Sequence, residues 1–120
     1  MARITHFEIP ANEPEKLTAF YEKVFDWKFS KWGGEDYWMA MTGEGEPGIN
    51  GAIMRRRDPA QPLVNSLTVT SLDDSVAAVM ANGGSMAVPK MAVPGVGWLA
   101  YCKDPEGTIF GMMQNDPAAV

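Results

Sequence analysis

The sequence predicts an α+β protein: two tandem β-α-β-β-β modules forming one eight-stranded curved sheet or cup. Three observations predict it. The chain repeats its own order at an offset of 58 to 59 residues, so residues 3–9 answer to 62–69 and residues 48–54 to 107–113. Each half contains one segment with helical apolar spacing and helix-start signals. Short β-rich runs bounded by turn residues fill the remainder. Module one is expected over residues 3–56, a connector over 57–61 and module two over 62–114, within a single domain.

The leading strand of module one alternates. Phe7 and Ile9 point one way, while Ile4, His6 and Glu8 point the other. A helix follows, with Asn12 as its expected cap, Pro14 in its first turn and Glu15 three residues after the cap. Leu17, Phe20, Tyr21, Val24 and Phe25 then form one apolar stripe. Residues 27–32, 36–41 and 48–54 are the next strands. Module two begins with a strand on which Leu67 and Val69 share a face and Val64, Ser66 and Thr68 share the other. Its helix is capped by Ser71 with Asp74 three residues on, carries Leu72, Val76, Val79 and Met80 on one side, and stops at Gly83-Gly84. Residues 86–90, 97–102 and 107–113 are its remaining strands. In both halves the apolar face of the leading strand should pack under its helix. The partly polar face should line a concave surface suited to a ligand.

Composition narrows the function classes. A net charge of −5 and a pI near 4.7 argue against nucleic acid and anionic membranes as partners. No apolar run approaches the ~20 residues of a membrane span, and the N-terminus lacks a signal-peptide series. The single cysteine, Cys102, allows no disulfide within the chain and no multi-cysteine metal cluster. A cytoplasmic setting is expected from these features. Arg55-Arg56-Arg57 is the one basic run; a solvated connector is its plainer reading and an anion patch the other.

His6 is the only histidine, so no triad with a second imidazole exists. Glu8 lies on its face, roughly 6.6 Å further along the strand. That spacing suits two groups gripping one ligand or an acid–base pair. A neighbouring carboxylate should raise the affinity of His6 for its proton. The plain alternatives are a structural hydrogen-bonded imidazole and an exposed strand-edge carboxylate. Gly43, Gly45 and Gly48 match G-x-G-x-x-G, yet two carboxylates and no following helix make this a turn, not a phosphate cradle. Asp104-Pro105-Glu106-Gly107 is a turn by its chemistry. Met54 and Met113 share parity with Ala52 and Gly111 and should face the cup, which small residues at 52 and 111 should enlarge. Trp98, after Gly95-Val96-Gly97, is either a mouth-closing residue or a buried strand residue. Cys102 has no activating histidine and is expected to be inert packing.

Taken together, the chain resembles the vicinal oxygen chelate superfamily, the glyoxalase, bleomycin-resistance and ring-cleaving dioxygenase group. The carriers are His6-Phe7-Glu8-Ile9-Pro10, the helix end at residues 20–25, Gly48-Ile49-Asn50-Gly51, Gly83-Gly84, and Gly95-Val96-Gly97-Trp98 followed by residues 104–107. The resemblance covers essentially the whole chain. It implies paired modules folded into a cup and a homodimer. It also implies one divalent ion with four ligands, at positions that fall here on His6, Ala52, Val64 and Gly111. Only His6 can bind a metal, so no metal and no other cofactor is expected. The internal repeat pairs His6 with Val64 and Ala52 with Gly111 independently.

The expected function is binding of a small organic ligand in an apolar cup, with His6 and Glu8 at its polar end. Ala52, Met54, Val64, Trp98, Gly111 and Met113 are the other expected contacts. The alternative is a glyoxalase-type lyase or isomerase acting on an α-oxo or thiol-conjugated substrate, with His6 and Glu8 as catalytic groups and Tyr37, Tyr101 or water as helpers. A dimerisation module with an empty cup is a third reading.

Overall fold

A computed structural model describes residues Met1–Val120. The elements run β1 (Arg3–Ala11), α1 (Pro14–Phe25), β2 (Lys28–Lys31), β3 (Tyr37–Met41), β4 (Gly51–Arg55), β5 (Val64–Thr68), α2 (Leu72–Ala81), β6 (Ser85–Val93), β7 (Gly97–Lys103) and β8 (Ile109–Asn115). These are the eight strands and two helices of the expected α+β class, in the expected order. The chain divides into two compact units, Thr5–Leu63 and Val64–Val120 with Met1–Ile4. No helix is long and apolar enough to cross a membrane.

In the first unit β4 pairs parallel with β1 and antiparallel with β3, which pairs antiparallel with β2. Parallel pairing of β1 with β4 needs a long crossover; α1, β2 and β3 lie in that crossover. Phe7 stands opposite Gly51, and a Cβ at Gly51 would lie 2.5 Å from the Phe7 ring and carbonyl oxygen. Glycine is therefore required there. The connector is tied back by Arg56, which donates to the carbonyls of Gln61 and Pro10, and by Arg55, whose Nε meets Asp36 at 2.6 Å. The basic run thus serves the connector.

Helix α1 departs from expectation in two ways. Its N-cap is Glu13, without a side-chain cap bond, so Asn12 is not the cap. Proline at the first helical position fixes the start one residue later, since its φ is preset and it has no N–H to satisfy. The apolar stripe is also not buried: Phe20, Val24 and Phe25 are each more than half exposed. The reason is Trp27. Asp26 adopts the left-handed conformation (φ 60°) that closes the helix, and the chain then returns beneath it. The Trp27 ring stacks on Tyr21 at 4.5 Å and reaches Phe7 at 5.7 Å. It thereby occupies the space the rest of the stripe would have used.

The second unit repeats the pairing: β8 runs parallel to β5 and antiparallel to β7, and β7 pairs with a bulged β6. Ser71 caps α2, its Oγ accepting from the Asp74 N–H at 3.2 Å. The core is Leu72, Ala100, Cys102 and Met112, with Val69, Val76, Val79, Trp98 and Phe110 against it. Asp104 closes its turn by accepting from the N–H groups of Glu106 and Thr108 at 2.9 and 3.0 Å. Cys102 is fully buried and burial raises its thiol pKa, so it is packing, as expected.

Candidate functional site

The β1 alternation divides its side chains between two faces. Phe7 belongs with Trp27 on the helix side, which sends His6 and Glu8 to the opposite face. Register extends that face across the sheet, because Glu8 lies beside Ala52, Ala52 beside Met39, and Tyr37 beside Met54. The face therefore carries His6, Glu8, Tyr37, Met39, Ala52 and Met54. Tyr37 and Glu8 stand two strands apart, about 10 Å at the backbone. A phenol can bridge that span if the strand between offers little bulk. Ala52, fully buried, meets that requirement.

The bridge is made. The Tyr37 hydroxyl donates to Glu8 Oε2 at 2.8 Å, and His6 Nε2 lies 2.9 Å from the same hydroxyl oxygen. Glu8 is only 8% exposed, so it is a buried carboxylate and not the exposed strand-edge residue considered from sequence. A buried carboxylate needs such partners. For His6 the expectation reverses. Burial lowers its pKa below the ordinary histidine value, and the opposing pull of Glu8 is the smaller effect.

The equivalent face of the second unit follows from Ser66 beside Gly111, Gly111 beside Tyr101, and Leu99 beside Met113. Val64 and Ser66 are buried on it. Small residues at 52 and 111 do not open space there, contrary to expectation. Ala52 is covered, and a Cβ at Gly111 would collide with the Ser66 hydroxyl and lie 3.2 Å from the Tyr101 ring. Neighbouring side chains have closed over both.

Trp98 is a further correction. It stands on the helix face with Ala100 and Cys102, its indole N–H donating to Asp116 at 3.0 Å and Lys90 lying 5.0 Å over its ring. The turn before it is fastened by Gly95 N–H to Ala119 and Asp116 N–H to Val96 carbonyl bonds. It neither lines the ligand face nor closes a mouth. Tyr37 is the residue to which sequence reasoning gave too little weight. Only the β3–β4 register brings it to His6 and Glu8. Two shallow hollows lie elsewhere, beside the starts of α1 and α2, whereas polar side chains converge at His6, Glu8 and Tyr37.

The four positions that ligate metal in the resembled family hold one imidazole, engaged by Tyr37, and Ala52, Val64 and Gly111. Nowhere do three or more His, Cys, Asp or Glu side chains gather as a metal site requires. The residues present do not fit that ion.

Comparison with known proteins places this arrangement. The model of the Glyoxalase/Bleomycin resistance protein/Dioxygenase superfamily matches residues 3–111, and the chain belongs to that superfamily. It is 28% identical over 118 residues to "Putative glyoxylase CFP32" of Mycobacterium bovis and of Mycobacterium tuberculosis. That match covers 92% of this chain and 43% of the relatives, so the chain spans less than half their length.

Among solved structures it resembles a superfamily member from Vibrio splendidus 12B01 (TM-score 0.68, 12% identity, covering 97% of this chain and 100% of that one). It also resembles methylmalonyl-CoA epimerase from Mycobacterium tuberculosis (0.68, 10%, 95% and 88%). A third likeness is to the Mn(II)-bound glyoxalase from Novosphingobium aromaticivorans (0.62, 22%, 99% and 41%). These likenesses establish the fold.

Proposed function

We propose that this chain binds a compact organic molecule without the metal used by its metalloenzyme relatives. His6, Glu8 and Tyr37 meet the ligand's polar end, and Met39 and Met54 give an adaptable apolar lining. Val64, Gly111 and Met113 line the corresponding face of module two, and the chain acts as a homodimer in the cytoplasm. One observation carries the reading: three of the four inherited ligand positions have no donor atom, and the room at Gly111 is taken by Ser66 and Tyr101. Binding or sequestration, in the manner of the drug-resistance members of the superfamily, needs no more than this. The test is metal analysis of the purified protein, with ligand titrations before and after chelation. Substoichiometric metal and unchanged binding are expected; a stoichiometric divalent ion whose removal abolishes binding would overturn the reading.

The hydrogen-bonded chain His6–Tyr37–Glu8 favours a second reading, a lyase or isomerase of the glyoxalase type. A neutral imidazole and a carboxylate joined through a phenol can exchange protons with an α-oxo or thiol-conjugated substrate. The name of the mycobacterial relatives points the same way. His6→Ala and Glu8→Gln should then abolish turnover, and unchanged rates in both would remove this reading.

A further inference from the structure

The hollow beside the start of α1 has a volume of about 400 Å³ and lies wholly within the first unit. Its charged lining residues are Glu13, Lys16 and Arg56. Lys16 and Glu13 meet at 3.1 Å and offset each other, so the net charge of the lining is that of Arg56. Arg56 is partly buried and clamps the connector by donating to the carbonyls of Gln61 and Pro10, both neutral partners. Arg55 has Asp36 as its counter-ion, but no ion pair of the chain includes Arg56. A guanidinium carries five N–H donors, so these two bonds leave donors over together with a whole charge. In a chain of net charge −5 this is a local reversal of sign. The same hollow contains Leu17 and Phe20, three residues apart on one side of α1, and Phe20 is more than half exposed.

We propose that this hollow binds a small carboxylate carrying an aryl or short alkyl body, with Arg56 taking the carboxylate and Leu17 and Phe20 covering the body. A single guanidinium matches a carboxylate in shape and charge. A phosphate dianion would exceed the one net positive charge and approach Glu13. The helix start is not the anchor, because the N–H groups of Lys16 and Leu17 already bond the Glu13 carbonyl at 3.1 Å. The site shares no residue with the His6–Glu8–Tyr37 face and stands whether or not the reading of that face holds. It also gives the bare Phe20 ring a task that packing within the unit does not.

The test is a titration of the intact nitrogen-15-labelled chain followed by NMR near neutral pH. Phenylacetate should shift the backbone N–H signals of Ala11, Leu17 and Phe20 and the Arg56 Nε–H signal saturably. Phenylacetamide keeps the shape without the charge, and acetate keeps the charge without the body. Each should bind at least about tenfold more weakly, the effect of one hydrogen bond to a charged group. Added salt should weaken phenylacetate more than phenylacetamide. Arg56→Gln should abolish the preference for phenylacetate over phenylacetamide. Because that variant also loosens the connector, Phe20→Ala at its exposed position supplies a second check: phenylacetate should weaken severalfold and acetate should not change. Shifts that never saturate, or that fall on Met39 and Ala52 instead of α1, overturn the site. Equal affinity for phenylacetate and phenylacetamide overturns the role of Arg56, and unchanged phenylacetate affinity in Phe20→Ala overturns that of the helix face.

Discussion

The two modules share a strand order and carry opposite chemistry on it. His6, Glu8, Tyr37 and Ala52 correspond by register to Val64, Ser66, Leu99 and Gly111. One face thus holds an imidazole, a carboxylate and a phenol in hydrogen-bond contact, while its counterpart holds a valine, a serine and a leucine at those positions and carries its phenol, Tyr101, where the first has Met39. The aromatic volume on the helix side has also changed strands. Module one places Phe7 on its first strand and glycine at 51; module two places exposed Asn65 on its first strand and Phe110 on its last. The repeat therefore preserves pairing order while moving the aromatic ring from the first strand to the last.

The cores differ as much as the faces, and the largest expected effect tests that. Leu72 is fully buried at the first turn of α2, whereas Phe20 on α1 is 51% exposed. Leu72→Ala should cost about 3 kcal/mol and Phe20→Ala below about 1 kcal/mol, read from urea denaturation midpoints. Equal losses would show that the α1 stripe is covered in solution, as in the proposed homodimer. The glycine swap comes next. Gly51→Ala should cost about 2 kcal/mol, because backbone at Phe7 cannot move aside without disturbing the β1–β4 ladder. A harmless Gly51→Ala would mean that module one tolerates the bulk module two carries at Phe110.

The polar face supplies a smaller effect. Tyr37→Phe leaves the buried Glu8 carboxylate and His6 without that bridging hydroxyl, and should cost about 1 to 2 kcal/mol. Leu99→Ala at the matching position removes apolar contact only, so its loss should not depend on pH. If the two losses respond alike to pH, the polar face is not energetically distinct.

Local chemistry made most of the fold legible. Ser71 with Asp74, Gly83-Gly84, and Asp104 to Gly107 each define their structure within a few residues, and each behaves as its chemistry demands. What was not legible depends on distant pairing. Trp98 lies on a strand apolar at both parities, Trp98, Ala100 and Cys102 against Leu99 and Tyr101, so period-two alternation does not choose its face. Tyr37 joins His6 only through a β3–β4 register that no local signal specifies. The α1 stripe was read correctly as amphipathic, but the return of Trp27 beneath the helix decides how much of it is covered. His6 shows the same limit, since a nearby carboxylate is visible in sequence and the extent of burial is not.

That last point gives the smallest effect. The folded-state pKa of His6 lies below its ordinary 6.5 because burial disfavours the imidazolium. As pH falls below 6.5 the unfolded chain takes up a proton that the folded chain still refuses. Stability contributed by the neutral ring is thus fully present above 6.5 and is lost as pH drops through the folded value. Asp26, Asp36 and Asp116 are held low by hydrogen bonds from Lys28, Arg55 and Trp98, so their losses begin only below about 3.8. The two windows open at different pH, near 6.5 for His6 and near 3.8 for the aspartates. Melting temperature should therefore decline gently on acidification from neutral pH and more steeply in strong acid. His6→Gln should flatten the first decline and leave the second. A wild-type melting temperature that rises between neutral pH and the carboxylate range would mean that Glu8, and not burial, governs the ring, and that the first module's polar face is built to hold a cation.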